Sequence, residues 1–461
     1  MSLTVRATLA LVFVGALTIV LLQPILDTSN EQSPSNEPPR TPAASPAPKP
    51  APSPTSTEEE TETAAPDRLL SKIPRECLRP VERPSGVGLL AAYRGGAVRI
   101  ASPTGGVTAT IEAKPPIAWS PSGSLLLTHR GHLFTAEGLP AGPTVIRGKT
   151  RAFPEPVTFW TWSTVADCAV GVSREGTLLI APLDAPIRRP HRDLLRGMEI
   201  RDISFSPDGR TLALVVRTDN EPPVVNSIWF ADLRTGRITR TRAGAVAVPL
   251  LGWNGRRVLF GRATGASIMA DGIRLEGLSP GGEVVGYRAG LLPSDDFLLT
   301  CGNRLLAVVG GARDATTNKR LAFIEPGEPP ELLTSKAFVY STPACSPNGD
   351  FVVAPRAEEN SSPSSGQRVD DRRLVLLRGD GSFVRNLTLD SGFADEYPLW
   401  GPRGTGVVFV RRPIGGGGRP QAWFIPEGGR AQRTELTFAI PPHYYGDFAW
   451  ERVLAWSAAP G

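Results

Sequence analysis

The stretch FSPDGRTLALVV (205–216) reads as a tight corner feeding a buried strand. Ser206 suits the first position of a type I turn, Pro207 pre-sets φ at the second, and Gly209 suits the fourth. The apolar run that follows, rich in β-formers and bounded by turn residues, fits a strand covered on both faces. Phe205, just before the corner, would end the preceding strand and fill the gap between neighbouring sheets. The same arrangement recurs as WSPSGSLLLT (119–128), CSPNGDFVVA (345–354) and WGPRGTGVVF (400–409). Looser copies are WSTVADCAVGV (162–172), WNGRRVLFG (253–261) and TCGNRLLAVVG (300–310).

Successive copies lie about 43–55 residues apart, the spacing of propeller blades or solenoid repeats. Most copies are followed by a second hairpin, as in SIWFADLRTGRITR (227–240) and RLVLLRGDGSFVRNLT (373–388). Each unit then holds four strands with a polar outer edge, which is the blade of a β-propeller. GLLAAYRGGAVRIASPTGGVTATI (88–111) resembles a unit lacking its first strand, and GDFAWERVLAWS (446–457) one lacking its last strands. Joined, they make a composite blade that closes a ring and removes both sheet edges. The sequence predicts an all-β propeller of seven or eight four-stranded blades over 69–461.

These motifs resemble the TolB-like, WD40-like propeller repeats of bacterial exported proteins, and FSPDGRTLALVV (205–216) is the closest copy. The resemblance covers about 370 residues as a repeated short motif. It implies a propeller fold and a scaffold role in protein binding, and it carries over no catalytic residue.

The N-terminus is different in kind. Residues 7–22, ATLALVFVGALTIVLL, carry no charge, with Arg6 before them and Asp27, Glu31 and Glu37 after. That flanking predicts an uncleaved signal anchor over 1–27, with the bulk of the chain extracytoplasmic. Residues 28–68 hold ten prolines between Asn30 and Pro66, then the acidic run EEETE (58–62). With no apolar periodicity they form no core and read as a disordered spacer. In a polyproline conformation it would reach on the order of 100 Å.

The 461 residues carry a formal charge of +5, from 44 Arg, 6 Lys and 45 acidic residues. The Arg pairs (Arg188/Arg189, Arg256/Arg257, Arg372/Arg373, Arg411/Arg412) are dispersed, which reads as solvated surface and not as a nucleic-acid stripe. GPTVIRGKT (142–150) misses the phosphate-loop spacing by one residue and has no following helix. His129 and His132 form H-x-x-H without further ligands, and His191 and His443 are isolated. Glu358/Glu359 and Asp370/Asp371 flank a Ser-rich insert and read as a solvated loop rather than a calcium site. No G-x-S-x-G elbow occurs. Four cysteines, Cys77, Cys168, Cys301 and Cys345, fit two disulfides in an exported chain, with Cys301–Cys345 and Cys77–Cys168 as the first pairing; buried free thiols fit as well.

The expectation from sequence is a monomeric, membrane-anchored ectodomain that binds a protein or cell-envelope polymer, without catalysis, cofactor, metal or nucleic acid. The alternative is a propeller enzyme, a hydrolase or lyase on envelope glycans, with an axial site built from loops that linear motifs do not reveal.

Overall fold

The computed structural model describes residues 75–457, apart from 84–85, 142–143, 147–148, 183–186, 189–198, 218–224, 246, 264–272, 292–297, 311–317, 360–370, 402–403, 417 and 445–446. The expected anchor (1–27) and spacer (28–68) lie outside the described residues. Among the described residues no helix is long and apolar enough to cross a membrane. Contacts divide the chain into Met1–Glu62 and Thr63–Gly461, and everything below concerns the second unit.

That unit is an eight-bladed β-propeller, which resolves the choice between seven and eight. Blade 1 is composite: Leu454–Trp456 pairs antiparallel with Leu90–Arg94, followed outward by Ala97–Ala101 and Val107–Glu112. Blade 2 starts at Ala118–Trp119, blade 3 at Val157–Trp162, blade 4 at Glu199–Phe205 and blade 5 at Ala247–Asn254. Blade 6 starts at Leu298–Cys301, blade 7 at Phe338–Tyr340 with Ala344–Cys345, and blade 8 at Phe393–Trp400. First strands of most neighbouring blades touch one another, so they ring the axis. The last strands are outermost; Phe383–Asn386 of blade 7 is exposed along its length.

The core is divided the same way. Eight apolar clusters each lie between two consecutive blades. One of them joins blade 8 to blade 1 through Val408, Phe424, Leu454 and Trp456, which is the test of closure. The large residue ending each first strand acts as a wedge across this gap. Trp162 Nε1 donates to Ala118 O at 3.2 Å, Trp253 Nε1 to Ser204 Oγ at 3.0 Å, and Trp400 Nε1 to Ala344 O at 2.9 Å. Each acceptor belongs to the residue just before the preceding blade's own wedge. Between blades 6 and 7 the wedges are cysteines instead, and Cys301 is bonded to Cys345 with Cα atoms 5.5 Å apart. A covalent bond here takes the place of an indole. Cys77 is bonded to Cys168 of blade 3, with Cα atoms 5.1 Å apart, and ties down the lead-in segment.

The Ser-Pro corners form as the motif requires. Ser206 Oγ donates to Asp208 Oδ1 at 2.6 Å and accepts from Thr211 N at 2.9 Å, while Gly209 N donates to Ser206 O at 2.8 Å. Ser346 repeats these contacts with Asn348, Phe351 and Gly349. Burial of Asp208 opposes its charge, but hydrogen bonds from Ser206 and the Arg210 N–H outweigh it and hold the carboxyl below its usual range. The loose copies depart for a geometric reason. In blades 5 and 6 the corner shortens to two residues, Gly255-Arg256 and Gly302-Asn303, with Gly255 and Gly302 at φ 58° and 63°. A two-residue hairpin needs positive φ and has no room for Ser-Pro.

Candidate functional site

In a four-stranded antiparallel blade, the first-to-second and third-to-fourth connections leave from one end, and the other connections from the opposite end. The corners described above, with the short turns at Leu233–Arg237, Ser279–Glu283 and Gly379–Ser382, therefore make one face of the ring, the turn end. The opposite face is the loop end. Every charged residue that is buried among the described residues, namely Glu276, Lys319, Arg372, Asp395, Glu396, Arg411 and Arg412, lies at the loop end or bonds towards it.

Most of these charges converge where blades 7, 8 and 1 meet. Asp395 and Glu396 stand near the start of blade 8's first strand, and Arg411 and Arg412 end its second strand, Gly406–Pro413. The antiparallel register sets Asp395 opposite Arg411. Arg411 grips Asp395 with both arms, Nε to Oδ1 at 2.7 Å and Nη2 to Oδ2 at 3.0 Å, and its third nitrogen bonds Asp390. Arg412 Nη2 lies 3.0 Å from Glu396 Oε1, and Arg372 Nη1 3.8 Å from the same oxygen. Trp450 Nε1 donates to Glu396 Oε2 at 2.8 Å. Trp450 stacks on Phe448 at 5.3 Å, and Arg412 lies over the Phe448 ring. The solvated-surface expectation for Arg372, Arg411 and Arg412 is thus corrected. They are buried because carboxylates stand at facing or neighbouring strand positions, and a paired, hydrogen-bonded charge tolerates burial.

This rigid network borders a strained residue. Glu396 and Leu399 flank a register shift, and Tyr397 within it sits at φ 51°. A bulky side chain in the left-handed region is held there only when its surroundings over-determine it. Pro398, the Glu396 ion pair and the apolar packing around Tyr397 supply that constraint. Glu451, in the short helical turn Trp450–Arg452, is close enough for its charge to act on the Tyr397 phenol. Desolvation pushes the Tyr397 hydroxyl well above its usual value, and Glu451 adds to this. Glu451 itself is pushed above the usual carboxylate range by desolvation, against the counteracting Arg452. It nonetheless keeps solvent-exposed surface.

A second acid, Asp202 of blade 4, is raised by burial but accepts hydrogen bonds from Ile203 N at 2.8 Å and Leu250 N at 2.9 Å. Its role is to stitch two first strands together.

The sequence-stretch candidates fall elsewhere. His129 and His132 flank a short turn at the loop end of blade 2; among the described residues no group of three His, Cys, Asp or Glu could hold a metal. Within 142–150, Thr144–Ile146 and Lys149–Arg151 pair as a hairpin. Asp371 contacts Arg373 at 3.5 Å, while Asp370 and the Ser-rich insert lie outside the described residues. Tyr397, Glu451 and the carboxylates at 395–396 were missed. The available signal was two acids inside one strand, FADEYPLW, set against two arginines ending another, VVFVRRP.

No family model matches the chain, and no curated protein matches it. Solved structures do match. Dipeptidyl peptidase 4 of Porphyromonas gingivalis is similar at 11% identity and a TM-score of 0.51, over 82% of this chain and 65% of that one. Oligogalacturonate lyase of Vibrio parahaemolyticus is similar at 13% identity and a TM-score of 0.42, over 80% and 100%. A structure assigned to TolB of Agrobacterium tumefaciens is similar at 15% identity and a TM-score of 0.29, over 75% and 87%. The propeller resemblance read from the repeats is met in the fold. The expectation of a binding module without catalysis is corrected: solved structures similar to this chain include lyases and peptidases as well as TolB, so the propeller fold read from the repeats does not imply a scaffold role. It took the fold for a scaffold and missing linear motifs for missing chemistry, whereas loops from several blades build a propeller's site. At such low identities the likeness is one of fold, and no residue of those enzymes is carried over.

Proposed function

We propose that this chain is a propeller enzyme, a hydrolase or lyase acting on a cell-envelope glycan, with its chemistry at the loop end where blades 8 and 1 meet. The observation that supports it is an exposed Glu451 beside a strained Tyr397, next to Trp450, which bonds the buried ion-pair network at Glu396. In hydrolysis the glycosidic C–O bond breaks as a water oxygen bonds to the anomeric carbon and gives up its proton to solvent; in elimination it breaks as solvent takes the neighbouring C–H proton and a C=C bond forms; in both the departing oxygen takes a proton. Glu451, neutral over a wider pH range than an ordinary glutamate, would donate that proton and be left as the carboxylate. The rigid ion pairs hold the acid and phenol in place while the sugar binds. The residue-1–27 anchor and the spacer at 28–68 complete the reading: a single-pass, monomeric ectodomain held off the membrane, with the envelope polymer as its partner.

The test is full-length protein incubated with isolated envelope glycans. New reducing ends report hydrolysis, and ultraviolet absorbance of an unsaturated sugar reports elimination. Glu451→Gln should lower the rate roughly 100-fold or more with unchanged circular dichroism. Activity of the native chain should be present below the raised pKa of Glu451 and decline as pH climbs through it, since the acid form is then lost. Full activity in Glu451→Gln would sink the assignment.

A further inference from the structure

The gap between blades 7 and 8 is filled differently from the other seven. Among the described residues its buried cluster is the smallest, with Val353, Leu374, Val407, Phe409 and Ile425. At the turn end it opens into a cavity of about 360 Å³. Phe351, Leu376, Leu387, Trp400, Val407 and Ile425 form its walls. Trp119, Trp162, Trp253 and Trp456 are buried in their own gaps, but Trp400 is only half-buried. Its indole N–H is committed to Ala344 O, so it offers the cavity a flat apolar ring.

The opening is fixed by the backbone. Gly406 stands where the other copies carry Leu125, Thr211 and Phe351. It sits at φ 149°, and a Cβ there would lie 2.5 Å from Ile425 O. No side chain can grow from this position to fill the gap. Two charges stand at the rim, Arg385 on blade 7 and Glu427 on blade 8. Both are exposed, and neither side chain has a hydrogen-bond or ion-pair partner among the described residues. A pocket of this size suits a small ligand, and apolar walls with a few polar groups at the mouth are the usual design.

We infer that this inter-blade cavity binds a free hydrophobic α-amino acid, its side chain against Trp400 and Phe351, its carboxylate on Arg385 and its ammonium on Glu427. An apolar ligand with one charge of each sign uses both rim residues, whereas a simple anion would face Glu427 and a simple amine Arg385. Guanidinium–carboxylate pairing gives the geometry its direction. The site lies at the opposite end of the blades from Glu451 and does not depend on the proposed catalysis.

Calorimetric titration of the full-length protein tests it with three probes: L-phenylalanine, phenylpropionate, which lacks the amine, and phenethylamine, which lacks the carboxylate. L-Phenylalanine should bind saturably and at least tenfold more tightly than either analogue. Arg385→Gln should weaken phenylalanine at least tenfold while leaving phenethylamine unchanged. Leu387→Trp, placed on the half-buried edge of the cavity, should abolish binding with the circular dichroism spectrum intact. Equal binding of all three probes, no saturable binding, or full binding by Arg385→Gln would overturn the inference.

Discussion

The two ends of the propeller are built from opposite materials. At the turn end, the corner serines Ser120, Ser163, Ser206 and Ser346 are buried, neutral and bonded within their own corners. At the loop end the buried polar groups include ions, bonded across strands and between blades. The turn end uses local contacts repeated from blade to blade, so each corner stabilises itself. The loop end uses contacts made once, between residues such as Arg372 and Glu396 that meet only when blades 7 and 8 pack together. Folding is carried by the repeated end, and the end that departs from the repeat is free to hold charge where a substrate could meet it.

That contrast predicts a hierarchy of effects. The largest should come from breaking the loop end on one side only. Arg411→Met strands Asp395 in the core, and urea unfolding should show a loss of about 3–5 kcal/mol; the double variant with Asp395→Leu should recover much of it. If Arg411→Met costs under about 1 kcal/mol, the network is solvated and the contrast fails. Next is the covalent wedge. Replacing Cys301 and Cys345 by serine removes a bridge spanning 44 residues and should cost about 2–4 kcal/mol. Urea unfolding of the oxidised parent and the double-serine variant measures it. A single corner should matter least. Ser206→Ala loses the hydrogen bonds to Asp208 and Thr211 and should cost about 1 kcal/mol. Because the Asp208 carboxyl is held below its unfolded value, its contribution is present above the usual aspartate pKa and is lost as pH falls through the lower folded value. The stability gap between parent and Asp208→Asn should therefore narrow on acidification, and a gap that stays constant would mean that Asp208 is not coupled to the corner.

The fold was legible because its determinants are local. Phe205 to Gly209 carry a turn, a wedge and a strand entry within a few residues, and the repeat supplied the rest, including the composite blade at the ends. The blade count stayed open across 253–345 because Gly255-Arg256 and Gly302-Asn303 form corners that lack the Ser-Pro cue. The loop-end constellation was illegible for the converse reason. Asp395 and Arg411 look like ordinary surface residues in a list, and only the antiparallel register makes them partners. Glu451 and Tyr397 come together solely through closure of blade 1 against blade 8. The constellation was missed because linear motifs sample neighbours along the chain, and this cluster draws its members from across it.

The composite blade has a consequence for how the molecule is made. Leu454–Trp456 completes blade 1, and Leu89 N bonds Ser457 Oγ across 368 residues of intervening chain. The closing strand is therefore the last of the propeller to leave the ribosome. Until it does, Leu90–Ala92 waits as an unpaired edge, and blades 2 to 8 form an open arc with a second bare face at blade 8. Such edges invite pairing with other nascent chains. A message cut short by even a few codons before Leu454 would yield a nearly complete protein unable to lock, and quality-control machinery would meet it as an aggregate rather than as a slightly shortened propeller.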